Sequence, residues 1–252
     1  MIGCVYLVDL DDTLFKSISK HPNSSGLSRV TTATNGHHGH MSASQRGLFS
    51  ALTATGVVIP VTARSSEAFG RVHLDFGTAR AVLANGAVIR DESGRPDPEW
   101  GAHTAGIGRR FDPVFAEMSR LICNEFGPAA RSWVVTEEGA SAYFCVKMNA
   151  TKEGSVRAGI SAAHELLTTR LDLSGMWGHM NGNNLSFTPI GISKRDACVY
   201  MIDSLGGRGG GSTLVGLGDS LTDLPFMGLC DFMMVPTGSQ IAQLISAQVP
   251  VL

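Results

Sequence analysis

The sequence predicts an α/β fold, a doubly wound, Rossmann-like parallel sheet that carries an inserted α+β domain. Short apolar runs at residues 2–8, 57–61, 81–84 and 213–217 alternate with helical stretches. These runs are rich in β-formers and do not alternate in polarity, which is typical of parallel strands covered on both faces. Between residues 87 and 187 the pattern changes to helices with alternating strands, which indicates a separate small lobe.

The composition is that of an ordinary globular protein. Hydrophobic residues make up 43% of the 252 residues and charged residues 17%, which is enough apolar material for a substantial core. The 20 Lys and Arg residues nearly balance the 22 Asp and Glu residues, for a net charge of −2. This balance gives no electrostatic attraction toward nucleic acid or an anionic membrane, so we expect neither as a partner. The sequence leaves open whether the protein forms a homodimer.

The cysteines and the N-terminal residues predict a cytoplasmic protein. No CxxC pair occurs, and an odd number of scattered thiols favours buried free cysteines in a reducing compartment over disulfides or a zinc site. The five are Cys4, Cys123, Cys145, Cys198 and Cys230. The first apolar run has no basic segment before it and is too short for a signal peptide or a membrane helix.

The first part of the chain alternates strands and helices around one long polar stretch. A buried strand at residues 2–8 ends in an acidic turn, and a stretch rich in Ser, Thr, Asn, Gly and His follows at 16–45. For its histidines, His37, His38 and His40, a flexible solvated loop is favoured over a metal site, since no cysteine or acid lies nearby. The elements that follow are a helix from about 42 or 44 to 55, a strand at 57–61, a helix at 66–76 and a strand at 81–84.

The rest of the chain comprises the inserted lobe and a final segment that belongs to the first domain. The predicted lobe elements are a hairpin-like segment at 88–89, a helix at 112–126, strands at 133–135 and 143–148, a helix at 156–170 and a strand at 184–187. A helix at 193–204, a glycine-rich turn at 206–211, a strand at 213–217 and a last short strand at Val235 follow. The glycine-rich turn lacks the ending of a P-loop and precedes a strand, so a plain connection is expected. The predicted domains are 1–86 with 188–252, and 87–187.

Polar residues follow three of the predicted parallel strands. Asp9, Thr62 and Asp219 each stand where a strand ends, and the carboxyl ends of parallel strands meet at one edge of the sheet. With Asp11 they form an anionic cluster that requires a cation, and hard carboxylate oxygens favour Mg²⁺. Metal-assisted phosphoryl transfer with a carboxylate nucleophile fits this set, with Lys194 and Thr62 facing the phosphoryl oxygens.

Four ordered motifs resemble those of the haloacid dehalogenase superfamily. Residues 9–13 (DLDDT) are similar to its DxDxT motif, and residues 218–223 (GDSLTD) to its GDxxxD motif. Thr62 resembles its second motif and Lys194 its third. The resemblance covers nearly the whole chain. The insertion before Lys194 is similar in position to the C2-type cap found in sugar-phosphate phosphatases of the sucrose-phosphate, mannosyl-phosphoglycerate and Cof types.

The resemblance implies a role for each matching residue. Asp9 is the implied nucleophile, and Asp11 the acid that protonates the leaving oxygen and then activates water. Thr13 is implied to fix the turn, and Asp12 is a loop or cap residue. The implied Mg²⁺ ligands are the Asp9 carboxylate, the Asp11 main-chain carbonyl, the Asp219 carboxylate and Asp223, directly or through water. The implied phosphate and substrate contacts are Thr13, Thr62, Lys194, Arg64, Asn85 and the residues Leu10 and Ala63, whose main-chain N–H groups face the phosphate.

The expected function is hydrolysis of a phosphate monoester of a small metabolite, with a sugar phosphate as the favoured class. A phosphomutase with the same core would return the phosphoryl group to the substrate and stays the nearest alternative. A non-catalytic protein that kept the fold is the other alternative, which the intact acids at Asp9, Asp11 and Asp219 argue against. The resemblance implies a cap that excludes bulk water from the reacting phosphoryl group.

Overall fold

A computed structural model describes residues 3–34, 36–150, 152–207 and 211–248 of the chain. The chain forms two compact units, Met1–Asp97 with Lys194–Leu252, and Pro98–Ser193. The sequence predicts that the inserted domain begins at residue 87 and ends at residue 187. The first break lies later because residues 88–90 form a strand that pairs with residues 81–83 of the first unit.

The chain order of the elements follows the predicted alternation. The strands are β1 (Cys4–Val8), β2 (Lys16–Ser17), β3 (Ser28–Arg29), β4 (Gly39–Met41), β5 (Gly56–Pro60), β6 (Ala81–Leu83), β7 (Val88–Arg90), β8 (Ala130–Glu137), β9 (Ala140–Met148), β10 (Met176–Met180), β11 (Leu185–Pro189), β12 (Thr213–Leu217) and β13 (Phe232–Met234). The helices are α1 (Ala43–Thr55), α2 (Ser66–Phe69), α3 (Pro98–Arg110), α4 (Asp112–Phe126), α5 (Glu153–Arg170), α6 (Lys194–Ser204), α7 (Leu224–Met227) and α8 (Gln240–Gln248). No helix in the described ranges is long and apolar enough to cross a membrane.

The first unit is built on a parallel sheet in the order β13-β12-β1-β5. A parallel bridge between Val61 and Val82 brings β6 next to β5, and β6 pairs antiparallel with β7. Leu7, Val8 and Ile59 are completely buried, as expected for strands covered on both faces. Because β1, β5 and β12 run in the same direction, the residues that follow them lie at one edge of the sheet.

Residues 16–41 form a small antiparallel sheet in the order β2-β4-β3. Val30 and Met41 are buried in the core of the first unit. The expected solvated loop is therefore largely an ordered element. The sequence hid it because its strands are two or three residues long and mostly polar. His38 accepts a hydrogen bond from Ala33 N–H at Nδ1, 3.1 Å away, and no metal-type cluster in the described residues includes a histidine.

Several other elements differ from the prediction. Helix α2 ends at Phe69 instead of residue 76 because Gly70 caps it and the chain then pairs with the 16–41 segment, where His73 N–H donates to Val30 C=O. The last strand is Phe232–Met234 instead of Val235. Helices α3, α7 and α8 and strand β10 were not predicted. The predicted glycine-rich turn at 206–211 lies partly outside the described residues.

The second unit is an antiparallel sheet covered by helices. Its strand order is β10-β11-β9-β8, and α3, α4 and α5 pack on β8 and β9. The core contains Phe115, Phe144 and Leu167, each less than 2% exposed. The turn between β10 and β11 has the sequence Asn-Gly-Asn-Asn, with Gly182 at φ 55°.

Candidate active site

The centre of the site is Asp9, at the end of the central strand β1. Its N–H donates to Leu217 C=O at 2.9 Å, which continues the β1–β12 pairing by one residue. The side chain is buried, and its two oxygens have different partners. Lys194 Nζ donates to Oδ1 at 2.7 Å, and Thr13 Oγ1 donates to Oδ2 at 3.0 Å. The carboxylate is therefore held in one orientation by two side chains, one four residues away in the sequence and one 185 residues away.

The turn after Asp9 is tightly wound. The N–H groups of Leu14 and Phe15 both donate to Leu10 C=O, at 2.9 and 3.3 Å. Asp12 has φ 66°, a left-handed conformation that Asp tolerates better than most residues, and its carboxylate pairs with Lys20. This turn brings Thr13 back toward Asp9, four residues earlier.

Lys194 joins Asp9 to a second carboxylate. It is the first residue of α6, and its Nζ lies 2.7 Å from Oδ1 of Asp223 as well as from Asp9. The Oδ2 atom of Asp223 accepts hydrogen bonds from the N–H groups of Asp219 and Ser220 and from the Ser220 hydroxyl, at 2.8–3.2 Å. Asp223 is fully buried with four donors around it, so it fixes the turn that carries Asp219.

Close packing at Gly218 makes this turn possible. A Cβ atom at Gly218 would lie 2.4 Å from the Cβ atom of Asp223, which no pair of real atoms tolerates. A glycine is therefore required where β12 ends, since the helical turn of Asp223 lies directly against the strand.

The proton affinities of the acids differ because their surroundings differ. Burial raises the pKa of Asp9 well above its usual value, and Lys194 opposes this only in part. Burial, with the neighbouring Asp223 and Asp12, also raises the pKa of Asp219, to about 7. Burial would raise the pKa of Asp223 too, but Lys194 and the Ser220 donors hold it below its usual value. Asp9 and Asp223 thus share one lysine, which holds only the pKa of Asp223 below its usual value.

These three acids fit a divalent cation. Asp9, Asp219 and Asp223 each offer a carboxylate oxygen, and these atoms lie within 4.8 Å of one another. Within the described ranges this is the only group of acids, histidines or cysteines so arranged. Oxygen-only ligands on a buried surface suit Mg²⁺ rather than a softer metal. A bound cation would also offset the cost of burying the negative charges of Asp9 and Asp219, and so lower the pKa values that burial raises.

Asp11 lies apart from these acids and pairs with Arg64. Arg64 Nε and Nη2 donate to the two carboxylate oxygens of Asp11 at 2.6 and 2.7 Å, in a bidentate pair. The guanidinium also lies over the ring of Phe15, 5.1 Å from its centroid. The Asp11 side chain is 53% exposed, so it can reach solvent or a bound molecule.

The remaining residues singled out from the sequence form one hydrogen-bonded turn. Thr62 Oγ1 accepts from Arg64 N–H at 3.1 Å, and Thr62 C=O accepts from Asn85 N–H at 3.1 Å. Asn85 is buried and has φ 58°. Ala63 lies between Thr62 and Arg64, three residues after the end of β5, and Leu10, outside this turn, is completely buried.

Sequence reasoning missed three contributors to the site. Ser220 supplies two donors to Asp223, and only its place inside the acidic motif could have indicated this. Gln45 closes the capping box of α1 and donates to Thr13 C=O at 3.3 Å. Lys20 pairs with Asp12 from a segment interpreted as a solvated loop.

Comparison with solved structures identifies the fold. A trehalose-6-phosphate phosphatase related protein matches over 96% of this chain and 97% of its own, at 16% identity and a TM-score of 0.51. The sucrose-phosphatase of Synechocystis sp. PCC6803, solved with sucrose and phosphate, matches over 98% and 97%, at 11% identity and a TM-score of 0.55. A haloacid dehalogenase-like hydrolase from Bacteroides thetaiotaomicron matches over 98% and 100%, at 12% identity and a TM-score of 0.53.

These similarities show that the chain shares the fold of these phosphatases and of the haloacid dehalogenase-like hydrolase. The α/β fold class predicted from the sequence is thus confirmed. No protein-family model matches the sequence, and no curated protein matches it by sequence. The haloacid dehalogenase fold of this chain is therefore recognised through its structure and its four short motifs.

Proposed function

We propose that the chain is a metal-dependent phosphatase that forms an aspartyl-phosphate on Asp9. The observation that carries the proposal is the environment of the Asp9 carboxylate. It stands at the end of β1, fixed by Lys194 and Thr13, beside the acids Asp219 and Asp223. A buried, oriented carboxylate next to a cation site suits nucleophilic attack on phosphorus better than a structural role.

The reaction has two displacements. In the first, an Asp9 oxygen bonds to phosphorus as the bond to the leaving oxygen breaks, and Asp11 gives its proton to that oxygen. In the second, Asp11 takes a proton from water, the water oxygen bonds to phosphorus and the bond to Asp9 breaks. Asp11 suits both proton transfers because its side chain is half exposed while the other acids are buried.

Asp9 and Asp219 are the proposed carboxylate ligands of Mg²⁺, together with the Asp11 main-chain carbonyl. Asp223 belongs to the same acidic group, but its oxygens already accept four hydrogen bonds, so it acts mainly through its charge and by fixing Asp219. When bound, the cation supplies positive charge that offsets the phosphate oxygens and the crowded acids. Lys194 and Thr62 are the proposed protein contacts to the phosphoryl group.

We propose a sugar phosphate as the substrate class. Two of the matching structures support it by their descriptions, one a trehalose-6-phosphate phosphatase related protein and one a sucrose-phosphatase solved with sucrose and phosphate. Arg64 and Asn85 are the proposed contacts to the substrate from the core. A cytoplasmic location remains part of the proposal, and the five free cysteines support a reducing compartment.

A phosphate-release assay tests the function. The full chain with Mg²⁺ is expected to release inorganic phosphate from sugar phosphates in a panel that also holds phosphoglycerates, nucleotides and phospho-amino acids. Asp9→Asn is expected to lower turnover by at least about 1,000-fold, because an amide does not attack phosphorus. Asp12→Asn is the matched control, since Asn tolerates its left-handed backbone and Asp12 lies outside the acidic group. Unchanged turnover in Asp9→Asn would end the proposal, and isomer formation without phosphate release would assign a mutase.

A further inference from the structure

The end of the chain in the first unit exposes an unusual amount of apolar surface. Half of the large apolar side chains that are exposed in the described residues lie between residues 221 and 245. In strand β13, Phe232, Met233 and Met234 are 64%, 51% and 38% exposed. Monomeric proteins rarely leave such residues side by side in water without a reason.

Strand β13 is an open edge of the main sheet. It pairs with β12 on one side, and no other described strand pairs with it. Sheet edges are protected by a short strand, by a charge or by a proline, and β13 has only its length of three residues, with no charge and no proline. The nearest charge, Asp231, is engaged with the sheet itself, since its carboxylate accepts from Leu214 N–H at 2.8 Å. The edge therefore offers both main-chain groups and apolar side chains.

Helix α8 leaves half of its apolar face uncovered. Ile241, Leu244 and Ile245 lie on one face, because residues three and four apart are neighbours on a helix. Ile241 is 3% exposed, but Leu244 and Ile245, one turn later, are 45% and 56% exposed. The helix begins close to the end of β13, since Gly218 N–H donates to Met234 C=O and Ile241 N–H donates to Asp219 C=O. We name the five exposed side chains of β13 and α8 the C-terminal patch: Phe232, Met233, Met234, Leu244 and Ile245.

We propose that the C-terminal patch is the interface of a homodimer, with β13 pairing antiparallel to β13 of a second copy. An antiparallel pair about a two-fold axis at Met233 places Phe232 opposite Met234 of the other copy, so the strand is complementary to itself. Each edge would gain the main-chain partners that it lacks. The dimer would extend the sheet of one copy into that of the other.

The near absence of charge in this segment favours a second copy over other occupants. Asp231 is the only charged residue from 224 to 248, so a two-fold axis here opposes no like charges, and a strongly charged partner finds nothing to pair with. A membrane is a poorer fit, because helices that bind membrane surfaces carry Lys or Arg and α8 has none. The five side chains expose on the order of 400 Å² of apolar surface, about half of the ~800 Å² that each partner contributes to a standard interface. The strand edge and neighbouring polar atoms would supply the rest.

Light scattering of the full chain over a range of concentrations tests the proposal. The chain is expected at twice its monomer mass, and Met233→Lys and Leu244→Lys are each expected to raise the dimer dissociation constant by about tenfold or more. Ile190→Lys is the matched control, a 61% exposed apolar residue of the second unit, and is expected to leave the dimer intact. Circular dichroism shows whether the variants are folded. A wild-type chain that stays monomeric, or folded Met233→Lys and Leu244→Lys variants that both dimerise like wild type, would overturn the proposal.

Cross-linking tests the pairing itself. In a Cys123→Ser background, Met233→Cys is expected to form a disulfide-linked dimer when oxidised with copper phenanthroline, because a two-fold axis at residue 233 brings the two thiols together. Met180→Cys, 44% exposed in β10, is the control and is expected to stay uncrosslinked. Equal cross-linking of the two variants would contradict the pairing. Vesicles with and without phosphatidylserine give a third measurement, and co-sedimentation of a monomeric chain would assign the patch to membranes instead.

Discussion

Lys194 is a cation that lies between two buried acids. Its Nζ is 2.7 Å from both Asp9 and Asp223, and the side chain is 7% exposed. Burial acts against the charged form, but the two acids outweigh it and raise the pKa of Lys194 above its usual value. The lysine therefore serves stability as well as chemistry.

We expect Lys194→Met to destabilise the metal-free protein by about 3–5 kcal/mol, because it leaves buried carboxylates without a counter-charge. Urea unfolding in EDTA measures this change. Lys20→Met is the control, since Lys20 is 56% exposed and its pair with Asp12 should contribute less than about 1 kcal/mol. An equal effect of the two substitutions would contradict the role given to Lys194.

Arg64 is expected to position Asp11 rather than to stabilise the fold. Arg64→Lys keeps the charge but loses the bidentate geometry, so we expect kcat to fall about tenfold with a stability change below about 1 kcal/mol. Steady-state kinetics and thermal unfolding separate the two effects. Arg80→Lys is a matched control, because Arg80 is buried to a similar extent and pairs with Glu92. If kcat is the same in Arg64→Lys and Arg80→Lys, Asp11 does not depend on this pair.

At the residue scale, the sequence predicts which acids meet and misses how they are paired. Asp9 and Asp219 follow buried apolar runs, and the parallel sheet brings their carboxylates together. Asp11 and Arg64 are 53 residues apart in no repeating pattern, and their pair depends on side-chain rotamers and on packing against Phe15. Contacts of this kind are set by the folded surface, so spacing along the chain does not reveal them.

At the element scale, predictions succeeded where local signals agree with packing. Helix α4 has the predicted limits, Asp112–Phe126, because an acid and a proline begin it and a glycine ends it. Helix α3 was missed since it contains three glycines, which are poor helix formers. One of them, Gly108, is required by packing, because a Cβ there would lie 1.8 Å from Ser141 O. A tertiary contact thus decides an element that local propensity opposes.

The turn between β12 and α7 is expected to lose its conformation if Gly218 gains a side chain. Gly218→Ala would press its Cβ against Asp223, so we expect a loss of about 1–3 kcal/mol and displacement of Asp219 from the acidic group. Gly47→Ala is the opposite case, since Gly47 lies inside α1 with open space around it and should gain up to about 1 kcal/mol. Urea unfolding of both variants gives the two signs. A neutral Gly218→Ala would show that the close contact is relieved at little cost.

At the scale of the whole molecule, the fold concentrates charge where the strands end. The hydrophobic pattern predicts the sheet, the sheet direction predicts one edge for the acids, and four distant segments meet there. The small sheet at residues 16–41 and the C-terminal patch could not be predicted in this way. Their strands are only two or three residues long, which is below the length at which alternation is recognisable.

Stability should respond to Mg²⁺ and pH together because of Asp219. Its pKa is raised to about 7 in the folded, metal-free protein, against about 3.9 in an unfolded chain. A group with a raised folded pKa contributes stability that is present below the unfolded value and is lost as the pH rises through about 7. Mg²⁺ binds the ionised carboxylate, so its binding competes with this proton.

We therefore expect the rise in Tm caused by Mg²⁺ to be small at pH 5.5 and to grow through pH 7 to 8.5. Thermal unfolding with Mg²⁺ or EDTA at each pH measures it, and Asp219→Asn should remove most of the pH-dependent part. Ser44→Ala, an exposed change in α1, is the control that should keep the wild-type profile, and a rise independent of pH would place the cation elsewhere.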